Sequence, residues 1–140
     1  MMPAENRYDS LIRFYAERHD MSWLLLKAQI KAESAFNPMA RSSAGALGLA
    51  QFMPATFAEW ATNLLIASPN PYNPEHSIQC QAAYMRWLLD QFAGNRERAI
   101  GAYNFGVGNE HKRKPWPQET VMYLARVKTY LREYEDSVQV

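Results

Sequence analysis

Apolar residues recur along this chain at the spacing of an α-helix, and no other feature constrains the fold as strongly. In four segments the apolar side chains stand three or four residues apart, so each segment would present one apolar face. These segments begin at Tyr8, Phe57, Ile78 and Val121. Two more helices are expected, near residues 22–35 and 95–105. Alternating strand patterns of any length are missing from the sequence, which therefore predicts a mainly α fold.

Capping residues and prolines indicate where these helices begin and where loops separate them. Ser22 can cap the second helix, Pro54 suits the first turn of the third, and Asn95 can cap the fifth. We expect one loop over residues 67–76, which holds three prolines, and a second over residues 106–117. Long ordered loops of this kind often carry function.

The size and composition of the chain predict a single domain, residues 1–140. With 140 residues, 48% hydrophobic and 21% charged, it can bury a core without disulfide bonds. A net charge of +1 argues against a dedicated nucleic-acid binder. The longest apolar run, residues 23–26, is too short to insert into a membrane. Residues 38–52, rich in Ser, Gly and Ala, are compatible with a small β element.

Glu33 is the first candidate for chemistry. Leu26 and Ile30 precede it by seven and three residues, so the three side chains share a helix face that should look inward. Desolvation and the negative end of the helix dipole would both raise the pKa of this carboxyl. An acid that is protonated near neutral pH is what glycoside cleavage requires. A structural glutamate paired with a basic residue would fit the same pattern.

The segment that follows Glu33, residues 37–51, is poor in bulky side chains. Gly45 and Gly48 permit a close approach of the backbone, so the segment can lie against a bulky ligand. Ser42 and Gln51 supply neutral hydrogen-bonding groups suited to sugar hydroxyls and acetamides. A flexible connection is the alternative on composition alone.

Several segments resemble the catalytic domain of soluble lytic transglycosylases. They are residues 33–38 (ESAFNP), 40–42 (ARS), 44–56 (AGALGLAQFMPAT), 102–108 (AYNFGVG) and 119–123 (ETVMY). The resemblance runs from about residue 20 to 135, with the motifs in order. It implies a lysozyme-like fold and an enzyme that acts on peptidoglycan glycan strands.

The activity that the resemblance implies is cleavage of the β-1,4 bond between N-acetylmuramic acid and N-acetylglucosamine. Glu33 would protonate the leaving oxygen and then act as a base on the C6 hydroxyl of the same muramic acid, which closes a 1,6-anhydro ring. No metal or other cofactor is expected. One catalytic carboxylate suffices, although the sequence cannot say whether Glu59, Glu75, Asp90 or Glu119 also reaches the cleft.

The resemblance also implies roles for residues at matching positions. Ser42 would help to place the sugar, and Gln51 would hydrogen-bond the substrate near the cleavage point. Tyr103 would orient the catalytic acid through its hydroxyl, and Asn104 would line the cleft. Glu119 would contribute to substrate binding, or would only place a negative charge in the first turn of the last helix.

The chain departs from the family pattern at two positions. Ala50 stands where the family often has methionine, so we expect a wider or weaker sugar subsite. Gln81 stands where glycine is common in the helix that carries Tyr84, which concerns helix packing. The basic segment 111–114 reads as a solvated loop, or as a contact with acidic cell-wall polymers or stem-peptide carboxylates.

Two other functions stay open at this point. A goose-type lysozyme would hydrolyse the same bond with water, and a second positioned carboxylate would favour it. A non-catalytic peptidoglycan-binding or virion structural module would have kept the fold alone. Loss of any of Glu33, Ser42, Gln51 or Tyr103 would have supported that module, and all four are present.

The setting is predicted from the N-terminal sequence. Residues 2–20 carry charged side chains throughout, so no signal-peptide core fits there. We expect a monomer that is made in the cytoplasm and acts on periplasmic or cell-wall peptidoglycan. A phage lysin released through a holin, or a virion-associated enzyme, would match that route.

Overall fold

The computed structural model describes residues 3–138 and confirms the mainly helical prediction. Within that range the chain forms seven α-helices and no β-strand, after one 3₁₀ turn at Ala4–Asn6. The helices are α1 (Asp9–Arg18), α2 (Trp23–Ser34), α3 (Pro54–Asn63), α4 (Pro74–Gln91), α5 (Arg96–Phe105), α6 (Val107–His111) and α7 (Gln118–Val138).

Helix α2 lies at the centre of the fold. It packs against α1 and α7, while α4 contacts α1, α3 and α5. Six consecutive residues of α2, positions 25–30, are buried, as expected for a helix that is covered on all sides. None of the helices described over residues 3–138 combines the length and apolar character needed to cross a bilayer.

Three of the predicted helix starts are confirmed. The Ser22 hydroxyl accepts a hydrogen bond from the Leu25 amide at 3.2 Å, and the Asn95 side chain accepts one from the Arg98 amide at 3.1 Å. Pro54 is the first residue of α3, where its missing N–H costs nothing. These caps pair amide groups that the helix itself leaves without partners.

Both predicted loops are shorter than expected. The first ends at Asn73, whose side chain caps α4 by accepting from the His76 amide at 3.1 Å. Pro74 therefore starts a helix, because proline fits the first helical position as well as a loop. The second loop contains α6 between Gly106 and Lys112. Proline and glycine alone do not distinguish a loop from a helix start.

The small β element over residues 38–52 is reduced to two isolated bridges, Arg41 with Leu47 and Leu47 with Phe52. The segment folds as a tight loop instead of a strand pair. Gly48 has φ +80°, and a Cβ there would stand 2.0 Å from the Pro71 carbonyl oxygen. Only glycine permits this approach, which presses the loop against the start of α4.

Candidate active site

A cleft of about 380 Å³ opens between α2, the 41–52 loop, α5 and α7. All six residues singled out from the sequence line it: Glu33, Ser42, Gln51, Tyr103, Asn104 and Glu119. Phe52, Met53, Thr56 and Tyr84 also line the cleft and give it apolar surface beside its polar groups. Residues far apart in the chain therefore meet at one concave surface, as a ligand site requires.

Glu33 occupies the last turn of α2 and is half-buried at the cleft wall. Burial raises the pKa of its carboxyl to about 8, and the nearby charge of Glu119 acts in the same direction. Hydrogen bonding by the Tyr123 hydroxyl and the charge of Arg126 oppose that rise without cancelling it. Glu33 is consequently protonated at neutral pH, as a general acid must be.

Ser42 is fixed by the loop that carries it. Its backbone amide donates to the Ala46 carbonyl at 3.0 Å, and its hydroxyl accepts from the Ala46 amide at 2.9 Å. Since the Ala46 amide uses the hydroxyl oxygen as acceptor, the hydroxyl hydrogen is the group that Ser42 can direct toward a ligand.

Gln51 adopts a left-handed backbone conformation with φ +54°, which is strained for a residue with a side chain. Its side-chain nitrogen donates to the carbonyls of Ala40 at 3.2 Å and Gly48 at 3.0 Å. Both amide hydrogens are therefore used inside the loop. The carbonyl oxygen of the Gln51 side chain is left to accept from a ligand in the cleft.

Tyr103 is held differently from the sequence-based expectation. Its hydroxyl donates to the Ala50 carbonyl at 2.8 Å, and so it anchors the loop that ends in Gln51. The expected orientation of Glu33 through the Tyr103 hydroxyl stays a prediction, and it is left to the hydroxyl oxygen as an acceptor from protonated Glu33, because the single hydroxyl hydrogen is already used. Burial and then the charge of Glu33 raise the pKa of Tyr103 well above its usual range, which keeps it neutral.

Asn104 and Glu119 bring α5 and α7 together at the cleft. The Asn104 side-chain oxygen accepts a hydrogen bond from the Thr120 hydroxyl at 2.7 Å, which leaves its amide hydrogens as donors. Glu119 is exposed in the first turn of α7, where the positive end of the helix dipole favours a carboxylate. It lines the cleft together with Glu33.

The other acids considered from the sequence lie elsewhere. Glu75 accepts a hydrogen bond from the Tyr15 hydroxyl at 2.6 Å, and Asp90 pairs with Arg86 at 2.9 Å. Neither of them, nor Glu59, lines the cleft. Among the acids of the described chain, Glu119 alone shares the cleft wall with Glu33.

The expectation for Ala50 needs correction. Its side chain is fully buried in a small cluster with Phe52, Phe57, Ala61 and Cys80, and it is not part of the cleft wall. A wider sugar subsite therefore does not follow from the missing methionine. Ala50 contributes through its backbone, since its amide donates to the Ser77 hydroxyl at 3.1 Å and its carbonyl accepts from Tyr103.

Sequence reasoning missed the role of Tyr123. It is 1% exposed, its hydroxyl interacts with Glu33, and it accepts a hydrogen bond from the Gln29 side chain at 3.2 Å. A signal was present, because Tyr123 belongs to the C-terminal motif and Gln29 lies one helical turn before Glu33. The apolar periodicity of the last helix did not include Tyr123.

The amino-acid sequence is similar to those of known transglycosylases. A family model described as the transglycosylase SLT domain matches residues 10–120. The soluble lytic murein transglycosylase of Salmonella typhimurium is 34% identical over 105 residues, which cover 72% of this chain and 16% of that protein. The peptidoglycan transglycosylase gp16 of Escherichia phage T7 is 33% identical over 102 residues, covering 72% of this chain and 8% of that protein.

A solved structure shares the whole fold. An inactive mutant of the lytic transglycosylase Slt from Pseudomonas aeruginosa superimposes with a TM-score of 0.86 at 27% identity, over 96% of this chain and 25% of that one. The chain thus spans about a sixth or less of the two curated relatives and a quarter of the solved chain. On the family match and these likenesses, the chain belongs to the transglycosylase SLT domain family.

Proposed function

We propose that this protein is a peptidoglycan lytic transglycosylase, which cleaves the β-1,4 bond between N-acetylmuramic acid and N-acetylglucosamine and leaves a 1,6-anhydro-muramic acid end. One observation carries the proposal: a carboxyl with a pKa of about 8, Glu33, lies at the wall of a cleft in a chain of this family. The relatives named as peptidoglycan or murein transglycosylases support the substrate class.

In the first step, Glu33 acts as the general acid. Its proton passes to the glycosidic oxygen of the departing N-acetylglucosamine while the bond from that oxygen to C1 of muramic acid breaks. Positive charge develops at C1, and Glu33 becomes a carboxylate beside it. The raised pKa of Glu33 ensures that the proton is present at neutral pH.

In the second step, the same carboxylate acts as the base. It takes the proton of the C6 hydroxyl, whose oxygen bonds to C1 of the same sugar and closes the anhydro ring. No water is consumed, and Glu33 returns to its protonated form for the next cycle. A second catalytic carboxylate is not required, so Glu119 is free to bind substrate and to favour the acid form of Glu33.

The remaining cleft residues bind the glycan in this proposal. The free carbonyl oxygen of Gln51, the hydroxyl of Ser42 and the amide hydrogens of Asn104 offer an acceptor and donors for hydroxyl and acetamide groups. Tyr103 is a positioning residue, because its hydroxyl holds the Ala50 carbonyl and thereby the backbone that places Gln51. Tyr84 and Phe52 line the cleft and supply apolar faces for sugar rings.

Product analysis is the direct test. Purified peptidoglycan is digested and the muropeptides are analysed by mass spectrometry. Ends lighter than the reducing form by the mass of one water indicate the anhydro ring and intramolecular attack. Reducing ends would instead make the protein a lysozyme-type hydrolase, with Glu119 as the candidate to position water. No products from folded protein would favour a binding or structural module.

Glu33→Gln tests the assignment of the acid. The amide cannot supply the proton, so we expect turnover to fall by at least ~100-fold while the fold and glycan binding are kept. Turnover is measured as release of soluble muropeptides, and binding as co-sedimentation with insoluble peptidoglycan. Glu133→Gln, at an exposed position of α7 outside the cleft, is the matched control and should keep full activity. Wild-type turnover in Glu33→Gln would contradict the proposal.

The setting and the oligomeric state are proposed separately. The phage T7 relative supports a phage enzyme that opens the wall, either as a lysin or within the virion. We propose that the protein acts as a monomer, because the cleft is formed by residues of one chain. Analytical ultracentrifugation, with and without soluble glycan, tests this state. A stable dimer would contradict it.

A further inference from the structure

Three buried polar side chains follow one another behind Glu33. Gln81 on α4 and Gln29 on α2 are 0% exposed, and Tyr123 on α7 is 1% exposed. None of the three lines the cleft. Burying an amide costs free energy unless it is hydrogen-bonded, so a row of polar groups in the core calls for an explanation.

The contacts between these side chains run in one direction. The Gln81 side-chain nitrogen donates to the Leu26 carbonyl at 3.1 Å and to the Gln29 side-chain oxygen at 3.5 Å. The Gln29 side-chain nitrogen then donates to the Tyr123 hydroxyl oxygen at 3.2 Å. The backbone carbonyl of Leu26 can only accept, which fixes the orientation of the Gln81 amide. The contact with Gln81 then orients Gln29, together with the bond that the Gln29 nitrogen donates to the Met85 sulfur at 3.3 Å.

The direction of the hydrogen bond from Gln29 determines whether the Tyr123 hydroxyl donates or accepts. Because an amide nitrogen can only donate, the Tyr123 oxygen is the acceptor from Gln29, and its own hydrogen is left to point elsewhere. The Tyr123 hydroxyl is close enough to the Glu33 carboxyl to lower the pKa of that carboxyl by hydrogen bonding. Successive hydrogen bonds in a low-dielectric interior strengthen one another, so the bond from Gln29 polarises the Tyr123 hydroxyl and makes it a better donor.

We propose that Gln29, held in place by Gln81, is a positioning residue that acts through Tyr123 to direct a hydrogen-bond donor at the Glu33 carboxyl. This inference rests on the proposed function, since it concerns the same acid. Its effect is greatest on the carboxylate that exists between the two steps. Burial disfavours that carboxylate, and the Tyr123 donor stabilises it at the moment when it forms.

Other ionisable groups also face Glu33 and stay in place when Gln29 is changed. They are Glu119 and Arg126 on α7 and Tyr103 on α5. Any change in the titration of Glu33 in a Gln29 variant is therefore attributable to the lost donor. Because the row lies outside the cleft, substrate binding should be spared.

The test is Gln29→Met, which keeps an unbranched side chain and removes the amide. We expect kcat to fall about tenfold, as for loss of one directed donor, with KM within about twofold. The alkaline limb of the kcat/KM profile should move to higher pH, because loss of the hydrogen bond to the Glu33 carboxylate raises the pKa of Glu33. Gln81→Leu should change kcat and the alkaline limb in the same direction but by less, since Gln29 would keep its contact with Tyr123.

A second readout does not depend on turnover. In protein labelled with ¹³C at glutamate carboxyls, the resonance of Glu33 is assigned by its loss in Glu33→Gln and titrated by NMR. The pKa of Glu33 should be higher in Gln29→Met than in the wild type. In a Tyr123→Phe background the Gln29 change should add nothing further, because the connecting hydroxyl is absent. If Gln29→Met folds poorly, the titration of Glu33 in Gln81→Leu, which leaves Gln29 in place, decides the question.

Ile12→Val is the matched control. Ile12 is 0% exposed on α1 and outside the cleft, so it reports what a small loss of core packing does alone. If Gln29→Met has the kcat, pH limb and Glu33 titration of Ile12→Val, the inference is overturned and Gln29 is only structural. If Glu33→Gln retains turnover, the proposed function fails instead, and the NMR titration still decides whether Gln29 acts on Glu33.

Discussion

At the residue scale, Glu33 shows how burial prepares an acid. The carboxyl lies where desolvation dominates its surroundings, so its neutral form is favoured at a pH where a solvated glutamate would be charged. Tyr123 and Arg126 limit that effect, and the carboxylate therefore stays accessible after the proton has been transferred. In the proposed reaction Glu33 acts first as acid and then as base, and that sequence needs both influences.

The same pKa shift predicts how stability depends on pH. Glu33 titrates near 8 in the folded protein against an ordinary value of 4.5, so between these values the folded state holds a proton that the unfolded state has lost. Its contribution to stability is complete below pH 4.5 and is lost as pH rises through 8. The free energy of unfolding should fall in this window by up to about 1.4 kcal/mol per pH unit.

Urea denaturation at several pH values measures this slope. Glu33→Gln cannot titrate and should remove that part of the slope, whereas Glu133→Gln should keep it. Equal slopes in wild type and Glu33→Gln would show that Glu33 is not the group that holds the proton.

At the element scale, the 41–52 loop is the part of the cleft that is built from backbone contacts. Two isolated bridges, a strained Gln51 and the Tyr103 hydrogen bond to Ala50 hold it, in place of a strand pair. Such a loop depends on its points of close approach, one of which is that of Gly48 to the Pro71 carbonyl. The cleft-lining side chains on the loop, Ser42 and Gln51, are positioned only as well as that contact allows.

Gly48→Ala should therefore damage both stability and activity. Its Cβ would overlap the Pro71 carbonyl oxygen, and we expect a loss of roughly 3 kcal/mol or more, measured by thermal denaturation. Gly94→Ala is the matched control, because Gly94 has φ +81° and nothing lies within 4 Å of its added Cβ. That control should lose only about 1–2 kcal/mol and keep its turnover. Equal losses would mean that the approach to Pro71 is unimportant.

At the scale of the whole molecule, α7 joins the core to the cleft. Its first turns carry Glu119, Thr120 and Tyr123, while Val127 and Leu131 continue the buried face that packs on α2. The helix that closes the fold therefore also brings to Glu33 both an acid and a hydroxyl. Loss of packing along α7 should lower the free energy of unfolding without lowering the activity of the protein that stays folded.

Val127→Ala tests whether packing along α7 affects stability alone. Val127 is 0% exposed, and its truncation should cost roughly 1–3 kcal/mol in the free energy of unfolding. The specific activity of the folded fraction should stay unchanged well below the melting temperature. Val121→Ala on the same helix is 46% exposed and should stay within about 0.5 kcal/mol of the wild type. A loss of activity in folded Val127→Ala would mean that the core and the site are coupled more tightly.

Several features followed from the sequence because they depend on local chemistry. Helical periodicity and the caps Ser22 and Asn95 depend on neighbours within a few residues, and the helices and both caps were confirmed. The predicted apolar face of the last helix was wrong at Val121, which is 46% exposed. The start of α4 at Pro74 and the short helix α6 were missed, because proline and glycine suit both loops and helix ends. The sequence could not predict which acids line the cleft, because that depends on contacts between residues far apart in the chain.

The sequence by itself determined the helical fold class, the placement of Glu33 at the end of an inward-facing helix and the motifs of the family. Only the tertiary structure decided that Tyr103 holds the Ala50 carbonyl, and that Gln81, Gln29 and Tyr123 stand in a row behind the acid. The reason is physical. Helix formation is governed by residues three and four apart, whereas hydrogen-bond partners in a core are chosen by distance and direction between separate helices.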